Sequence, residues 1–409
     1  MALTKLEWHL ESQGHLPDTL ISFRRHVCAQ DVALQITTDV YDHPSSAQLR
    51  TIVGVDIKRA FDNVLHQAII DNLAATKPGE RMVRYVCGFL SARQVRFLGP
   101  DTQPSTCFPI NRGTPQRSIL SPTLFNLAMK DLPAKHNLVT GLRHTIYADD
   151  ITLWCATRNP GEQEATLRTG LDIVDTYIHQ LGLTCSPEKS EYVVVLNSST
   201  CKAAAERAHL TLTMTGEPIP RKKSVRILGF LWQENGRSAE WLRRILHQAS
   251  QVIHMMTSVS KRHTGLREHE LRKIAEAAIY SRILYDLPYV ALTRTQTKRL
   301  ETSLLRCHRI EMGVPRYARS IDVERATLDN TLDVKVQAHR ESQHLRLSTS
   351  SQGRAILRMS GHDTSPLPPL SIDPPPWIST PRIRSPTDTP EYALRTQRRQ
   401  ATGAGDPSN

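Results

Sequence analysis

Thr145-Ile146-Tyr147-Ala148-Asp149-Asp150-Ile151-Thr152-Leu153-Trp154 decides how the rest of the chain is read. β-formers stand on both sides of two adjacent acids, the pattern of a hairpin with carboxylates at its tip. Packing gives no reason for Asp beside Asp, because neighbouring like charges repel. A divalent cation removes that cost, since Mg²⁺ takes oxygen ligands and completes its shell with substrate phosphates. By itself the string also fits an ordinary polar turn, and short motifs match by chance.

Upstream, the β-rich run Thr51-Ile52-Val53-Gly54-Val55 leads into Asp56-Ile57-Lys58-Arg59-Ala60-Phe61-Asp62. A helix is expected from Ala60 through Asn72. A carboxylate at the end of this strand can face the tip of the hairpin, so Asp56, Asp149 and Asp150 form a candidate triad drawn from distant segments. The alternative for Asp56 is an acid placed at a helix N-terminus by the dipole. Between these strings lies Gly113-Thr114-Pro115-Gln116-Arg117-Ser118-Ile119-Leu120-Ser121-Pro122. Residues 113–118 read as a loop. Ser121 reads as an N-cap with Pro122 at the first helical position, opening a helix that runs to about Asp131 and stops before Pro133. Gln116, in a tight loop beside a helix start, is placed to touch a nucleotide, or else serves only the turn.

In this order the strings resemble the polymerase domain of reverse transcriptases of the non-LTR retrotransposon (LINE-like) class. Asp56–Asp62 resembles that family's Asp-x-x-x-Ala-Phe-Asp motif. Gly113–Pro122 resembles its Gly-x-Pro-Gln-Gly-Ser-x-Leu-Ser-Pro motif, and Tyr147–Asp150 its Tyr-x-Asp-Asp box. Gly182–Ser190 is similar to the motif that follows, with Lys189 as its lysine, and Ile227-Leu228-Gly229-Phe230 to the primer-grip hairpin. The resemblance spans roughly Phe23 to Phe230.

The resemblance implies an α+β right-hand polymerase. It assigns residues 1–50 to partial fingers and residues 51–235 to a palm, an antiparallel sheet backed by helices with a fingers-like segment over about 63–110. Residues 236–360 would form a helical thumb or connection, and residues 361–409 a disordered tail. It implies an RNA-directed DNA polymerase that transfers nucleotides from dNTPs to a DNA primer on an RNA template. Its cofactors would be two Mg²⁺ ions, with Mn²⁺ as the alternative, held by Asp56, Asp149, Asp150 and the backbone carbonyl of Ile57. Phe61 would exclude a 2′-hydroxyl, Gln116 and Lys189 would contact the nucleotide, and Leu228 and Gly229 would hold the primer's 3′ end. Asp62 is expected to serve structure rather than metal. Two departures stand out. Arg117 occupies a family Gly position, and Phe23-Arg24-Arg25, similar to the family's Gly-Phe-Arg, lies almost at the start. These suggest a piece of a longer protein, and an alternative in which a catalytically impaired retrotransposon relic keeps the palm fold and only binds nucleic acid. An unrelated two-metal nuclease would leave Gln116 and Leu228-Gly229 without roles.

Charge is unevenly distributed. The chain of 409 residues carries a formal charge of +12. Residues 1–200 hold 19 Lys and Arg against 20 Asp and Glu, whereas residues 201–360 hold 28 against 15. A positive field after the catalytic strings suits a duplex-gripping element, since phosphate contacts give sequence-independent affinity. Seven Cys are scattered without zinc spacing, which points to free thiols, no disulfides and an intracellular setting in cytoplasm or nucleus. No signal peptide or membrane-length apolar run is visible, and no RNase H carboxylate set follows.

After an N-cap at Ser238, Trp241, Leu242, Ile245, Leu246, Ala249, Val252, Ile253 and Met256 recur at helical spacing. Arg243, Arg244, Lys261 and Arg262 lie off that stripe or just past its end. More helices are expected over Leu266–Ile283, Gln296–Met312 and Val334–Met359. From His362 onward ten of the 25 prolines crowd a segment too polar to bury a core.

Overall fold

Strand β1 (Leu49–Val55) is buried at every position but Gly54, Arg50 and Thr51 included, because it lies in the middle of a sheet covered on both faces. It pairs antiparallel with β3 (Asp150–Thr157) on one side and β4 (Glu191–Val195) on the other, and β2 (Leu142–Tyr147) adds to the far edge of β3. The four-stranded order is therefore β2-β3-β1-β4. Period-2 alternation divides the side chains between two cores. Val53, Val55, Ile151, Leu153 and Val194 enter one, with the helices, while Ile52, Trp154, Val193 and Val195 enter the other. The Trp154 indole N–H, buried in the second core, donates to Asp39 at 2.9 Å.

The computed structural model describes residues 1–42, 49–91, 93–96, 107–157, 159–196, 210–236, 238–260, 265–327 and 329–362. All belong to one unit, Met1–Ser365. Of the disordered tail expected over residues 361–409, all but 361 and 362 lie outside the described residues, as do Lys261 and Arg262.

Helix α1 (Ala2–Ser12) and helix α2 (Ala29–Ile36) precede β1. The helix expected over Ala60–Asn72 is broken in two: α3 (Ala60–Asn63) and α4 (His66–Ala75). The break has long-range causes. Val64 and Leu65 turn extended because the Val64 carbonyl accepts from Gly113 N–H at 2.7 Å and Leu65 N–H donates to Leu181 O at 3.0 Å. Helix α5 (Glu80–Ser91) follows. Helix α6 (Ser121–Met129) begins at Ser121 itself, so this serine is not the N-cap; its hydroxyl donates back to Pro115 O at 2.7 Å. Helix α7 (Leu132–His136) takes Pro133 into its first turn. Helix α8 (Pro160–Gln180) packs under the sheet, and its buried Gln163 amide donates to the carbonyls of Leu49 (3.0 Å) and Cys155 (3.2 Å).

Two histidines are buried beside the sheet. The rings of His136 and His144 lie 4.8 Å apart, His136 against Gly170 O (3.3 Å) and His144 against the Thr19 hydroxyl (2.9 Å). Burial pushes His136 down to about 4 and, together with the nearby His136 and Arg143, His144 down to about 3. Both values lie below the ordinary 6.5, so the unfolded chain takes up these protons first as pH falls. Their contribution to stability is whole above pH 6.5 and is lost progressively below it, by about 2 kcal/mol per histidine at pH 5. Denaturant midpoints at pH 7 and pH 5 should show this loss, and His144→Gln should reduce it.

Beyond the sheet, strands β5 (Ser224–Ile227) and β6 (Phe230–Gln233) form a hairpin, whose Val225, Ile227, Phe230 and Trp232 join the second core. Helix α9 (Ala239–Val259) buries Trp241, Leu242, Ile245, Ala249, Ile253 and Met256 of the predicted stripe, with Leu246 and Val252 half-buried at its margin. Ser238 precedes it, but its hydroxyl donates to Ala291 O at 2.8 Å instead of capping the helix. Helices α10 (Glu268–Ala275), α11 (Ser281–Asp286) and α12 (Arg294–Glu311) follow, α10 and α11 joined by a π-turn, and their apolar faces meet α9 in a third core. After α13 (Ser320–Thr327), the stretch expected as one helix over Val334–Met359 forms α14 (Leu332–Ser348) and α15 (Ser351–Met359). They return to the N-terminal segment. Leu347, Ile356 and Leu357 share the second core with Ile21, Val32 and Ile36.

Candidate active site

The three acids meet at one end of the sheet. Val55 of β1 is paired with Ile151 of β3, so the next position in register sets Asp56 opposite Asp150. Tyr147 pairs with Asp150, which leaves Ala148 and Asp149 as a two-residue turn. Ala148 is buried with φ +57°, a left-handed conformation that side chains adopt at a cost, and such strain persists where surrounding structure enforces it. Asp56 and Asp150 line one cavity of about 130 Å³ together with Lys189 and Arg226. Burial holds the Asp56 carboxyl above its ordinary value; Lys189 opposes this, and Asp149 adds to it. Asp150 is pushed up to about 6, first by protein crowding around its carboxyl, then by the charges of Asp149 and Asp56.

Backbone and hydroxyl contacts fix Asp56. Its N–H donates to Ser190 Oγ (3.1 Å), whose hydroxyl donates to Ser186 O (2.8 Å), while Asp56 O accepts from Ser186 N–H (2.9 Å). Lys58 N–H donates to Thr184 O at 2.9 Å, so the two bonds bridging Ile57 and Cys185 do not use the Ile57 carbonyl. Lys189 lies exposed in the same turn as Ser186 and Ser190. Lys58 reaches Glu188 at 3.1 Å on the surface. Among the described residues no three His, Cys, Asp or Glu side chains are gathered closely enough to enclose an ion. The donor chemistry nevertheless suits a hard cation: carboxylates crowded by one another, with protonation favoured at two of them.

The Gln116 loop is pinned to the segment after Asp56. Thr114 N–H donates to Phe61 O at 2.7 Å, and Gln116 Nε2 donates to Asp62 Oδ1 at 2.9 Å. Asp62 is thus an anchor for the loop. Gly113, at φ +76°, passes so near Asp62 that an added Cβ would lie 2.3 Å from its carbonyl oxygen, which excludes any side chain. Phe61 is stacked on Phe125 with centroids 4.5 Å apart and meets Phe23 edge-on at 6.5 Å. Arg117, exposed at φ +65°, stands in a left-handed conformation. That conformation costs a side-chain-bearing residue about 1–2 kcal/mol. Arg117→Gly should therefore raise stability by about 0.5–1 kcal/mol, net of the larger unfolded-state entropy of glycine. A urea titration measures it.

Leu228 and Gly229 form the two-residue tip between Ile227 and Phe230, both with positive φ (+51° and +89°). Two positive values in succession are the conformation that favours Asn-Gly or Gly-Gly, so Leu228 is strained. Sequence reasoning missed Arg226. The alternation of buried Val225 and Ile227 marks its side of the strand, but no local signal shows that this side faces the acidic cavity.

A family model described as reverse transcriptase (RNA-dependent DNA polymerase) matches residues 1–231. The chain belongs to the reverse transcriptase family. The chain is 25% identical over 266 residues to a putative 115 kDa protein in the type-1 retrotransposable element R1DM of Drosophila melanogaster, covering 65% of the chain and 25% of that protein. To the Pol polyprotein of the type-1 element R2 of Popillia japonica it is 24% identical over 304 residues, 69% of the chain and 40% of the relative. To the RNA-directed DNA polymerase of the mobile element jockey of Drosophila funebris it is 23% identical over 276 residues, 66% and 29%. The chain thus spans between a quarter and two fifths of these relatives' length, and they place it with the non-LTR, LINE-like reverse transcriptases. Among solved structures, apo telomerase from Candida Tropicalis aligns over 88% of the chain and 60% of its own, with TM-score 0.39 and 10% identity. The same telomerase with a TWJ fragment of telomeric RNA covers 88% and 55%, with TM-score 0.40 and 9% identity. Among the described residues the cysteines are free, and no helix is long and apolar enough to cross a membrane.

Proposed function

We propose that the chain is the polymerase module of a non-LTR retrotransposon protein, an RNA-directed DNA polymerase that joins dNTPs to a primer 3′-hydroxyl on an RNA template. The observation that supports this most directly is the register that sets Asp56 against Asp150, with Asp149 in the adjoining turn. Asp56, Asp149, Asp150 and the Ile57 carbonyl would hold two Mg²⁺ or Mn²⁺ ions. Bound there, such ions would stabilise the attacking and leaving oxygens of phosphoryl transfer. Lys189, next to Asp56 in charge and space, would face the triphosphate and offset the charge of the departing pyrophosphate. Gln116, tied to Asp62, would pack beside the incoming nucleotide. Leu228 and Gly229 would support the primer terminus. In this scheme residues 1–50 act as fingers, 51–235 as palm and 236–360 as thumb or connection.

Phe61 has limited freedom to retreat, since Phe125 stacks behind it. It would close the space beneath the sugar. Phe61→Val should raise ribonucleotide relative to deoxyribonucleotide incorporation by about tenfold or more, because a steric barrier to the 2′-hydroxyl is removed. Unchanged selectivity in parallel dNTP and rNTP extensions would remove Phe61 from this role. Arg117→Gly should also increase extension, as it thins the loop beside Gln116. The function itself is tested by primer extension on poly(rA)/oligo(dT) with Mg²⁺ or Mn²⁺. Absence of dTTP incorporation with both ions, from protein shown to be folded, would refute the reading.

A further inference from the structure

We propose that Tyr285 is a positioning residue for the primer terminus, acting from helix α11 by fixing the conformation of the Leu228-Gly229 tip. The inference rests on the reading of that tip as the element that holds the primer's 3′ end. Three successive residues of the hairpin are held by this single side chain. Its hydroxyl donates to the Leu228 carbonyl at 2.8 Å. Its ring edge lies 3.4 Å from where a Cβ on Gly229 would stand, and its ring stacks on Phe230 with centroids 4.6 Å apart and planes at 15°.

The tip needs such a clamp. Leu228 holds φ +51°, which an unsupported leucine would leave, and a strained residue persists only where its surroundings over-determine it. Tyr285 is itself held from two directions. Its carbonyl accepts from Gln30 Nε2 of α2 at 3.1 Å. The next residue, Asp286, accepts from the Trp241 indole of α9 at 2.7 Å and lies 3.6 Å from Arg244. Burial first, then the nearby Asp286, push the phenol up to about 12, so it remains a donor at any assay pH.

The surroundings relate this clamp to nucleic acid. Gly229 and Tyr285 line a cavity of about 450 Å³ with Arg226, Arg244, Gln248 and Arg282. Arg226 also lines the cavity of Asp56 and Asp150, so the basic trough adjoins the acidic one. A strand whose terminus reaches the acids would have its last phosphates beside these arginines. Gly229 of the tip lines the basic cavity, while Arg226 and Ile227, just before the tip, line the acidic one. A shift in its height would displace the 3′-hydroxyl from the acids without weakening the phosphate contacts, and misplacement by about 1 Å can cost about 10²-fold in rate.

Tyr285→Phe removes the one hydrogen bond and keeps the stacking. Expected is a kcat for single-nucleotide extension lower by about tenfold. The Kd for primer–template, read by fluorescence anisotropy, should stay within about twofold. A merely structural tyrosine would instead show a lowered Tm with an unchanged kcat for the folded fraction. Unchanged kcat, or a fall in kcat matched by an equal loss of primer–template affinity, would overturn the proposal while leaving the polymerase reading intact. Failure of the unaltered protein to extend any primer would overturn the polymerase reading and, with it, this one.

Discussion

Asp150→Asn should abolish primer extension, by at least about 10³-fold, because it removes an anionic ligand from the proposed metal-binding set. The same change should make the protein slightly more stable. Asp150 is held at about 6 by crowding around its carboxyl and by the charges of Asp149 and Asp56. A raised carboxylate value means that the ionised form is the disfavoured one, so the cost is present above pH 6 and vanishes below the ordinary value of 3.8. The residue keeps solvent contact, which screens the repulsion and reduces the gain at pH 7 to about 1 kcal/mol. Opposite signs in an extension assay and a thermal melt are therefore expected. Loss of both activity and stability would mean that Asp150 supports the hairpin instead of the chemistry.

Asp31→Ala should produce the largest loss of stability. The Asp31 carboxylate is fully buried and accepts from Arg346 twice (2.8 and 2.9 Å), from Gln343 Nε2 (2.8 Å) and from Cys28 N–H (2.7 Å). Removing it strands a half-buried guanidinium and two further donors, at a cost of about 3–5 kcal/mol. In a chain of this length that corresponds to a fall in Tm of roughly 5 °C. Asp31→Leu combined with Arg346→Met should destabilise less than Asp31→Leu alone, because no uncompensated charge remains. Strict additivity of the two changes would show that the pair is uncoupled and that α14 is held to α2 by the apolar cluster that Leu347 and Val32 share.

Much of the sheet was legible because its signals are local. The β-formers flanking Asp149-Asp150 make a hairpin wherever they stand, and the run before Asp56 makes a strand. The stripe from Trp241 to Met256 follows from side-chain period alone. Where the reading failed, a partner outside the helix's own turn decided. The helix after Ala60 breaks because Gly113 and Leu181 compete for the backbone of Val64 and Leu65. Ser121 and Ser238 have the chemistry of caps, but their hydroxyls find the carbonyls of Pro115 and Ala291 closer at hand.

The sequence by itself determined which residues could carry chemistry here, since Asp149-Asp150 at a tip, Asp56 at a strand end and Gln116 in a loop are each set by neighbours in the chain. Only the tertiary structure decided that Asp56 faces Asp150, that Arg226 adjoins them, and that Tyr285 holds Leu228. Only it showed that α14 returns to α2 through Asp31 and Arg346. The physical reason is the same throughout. Strand register, buried ion pairs and clamped turns depend on groups brought together across long loops, where a donor or a charge is stable only once its partner arrives. Such pairings leave no period and no spacing in the chain, so no local reading of residues can reveal them.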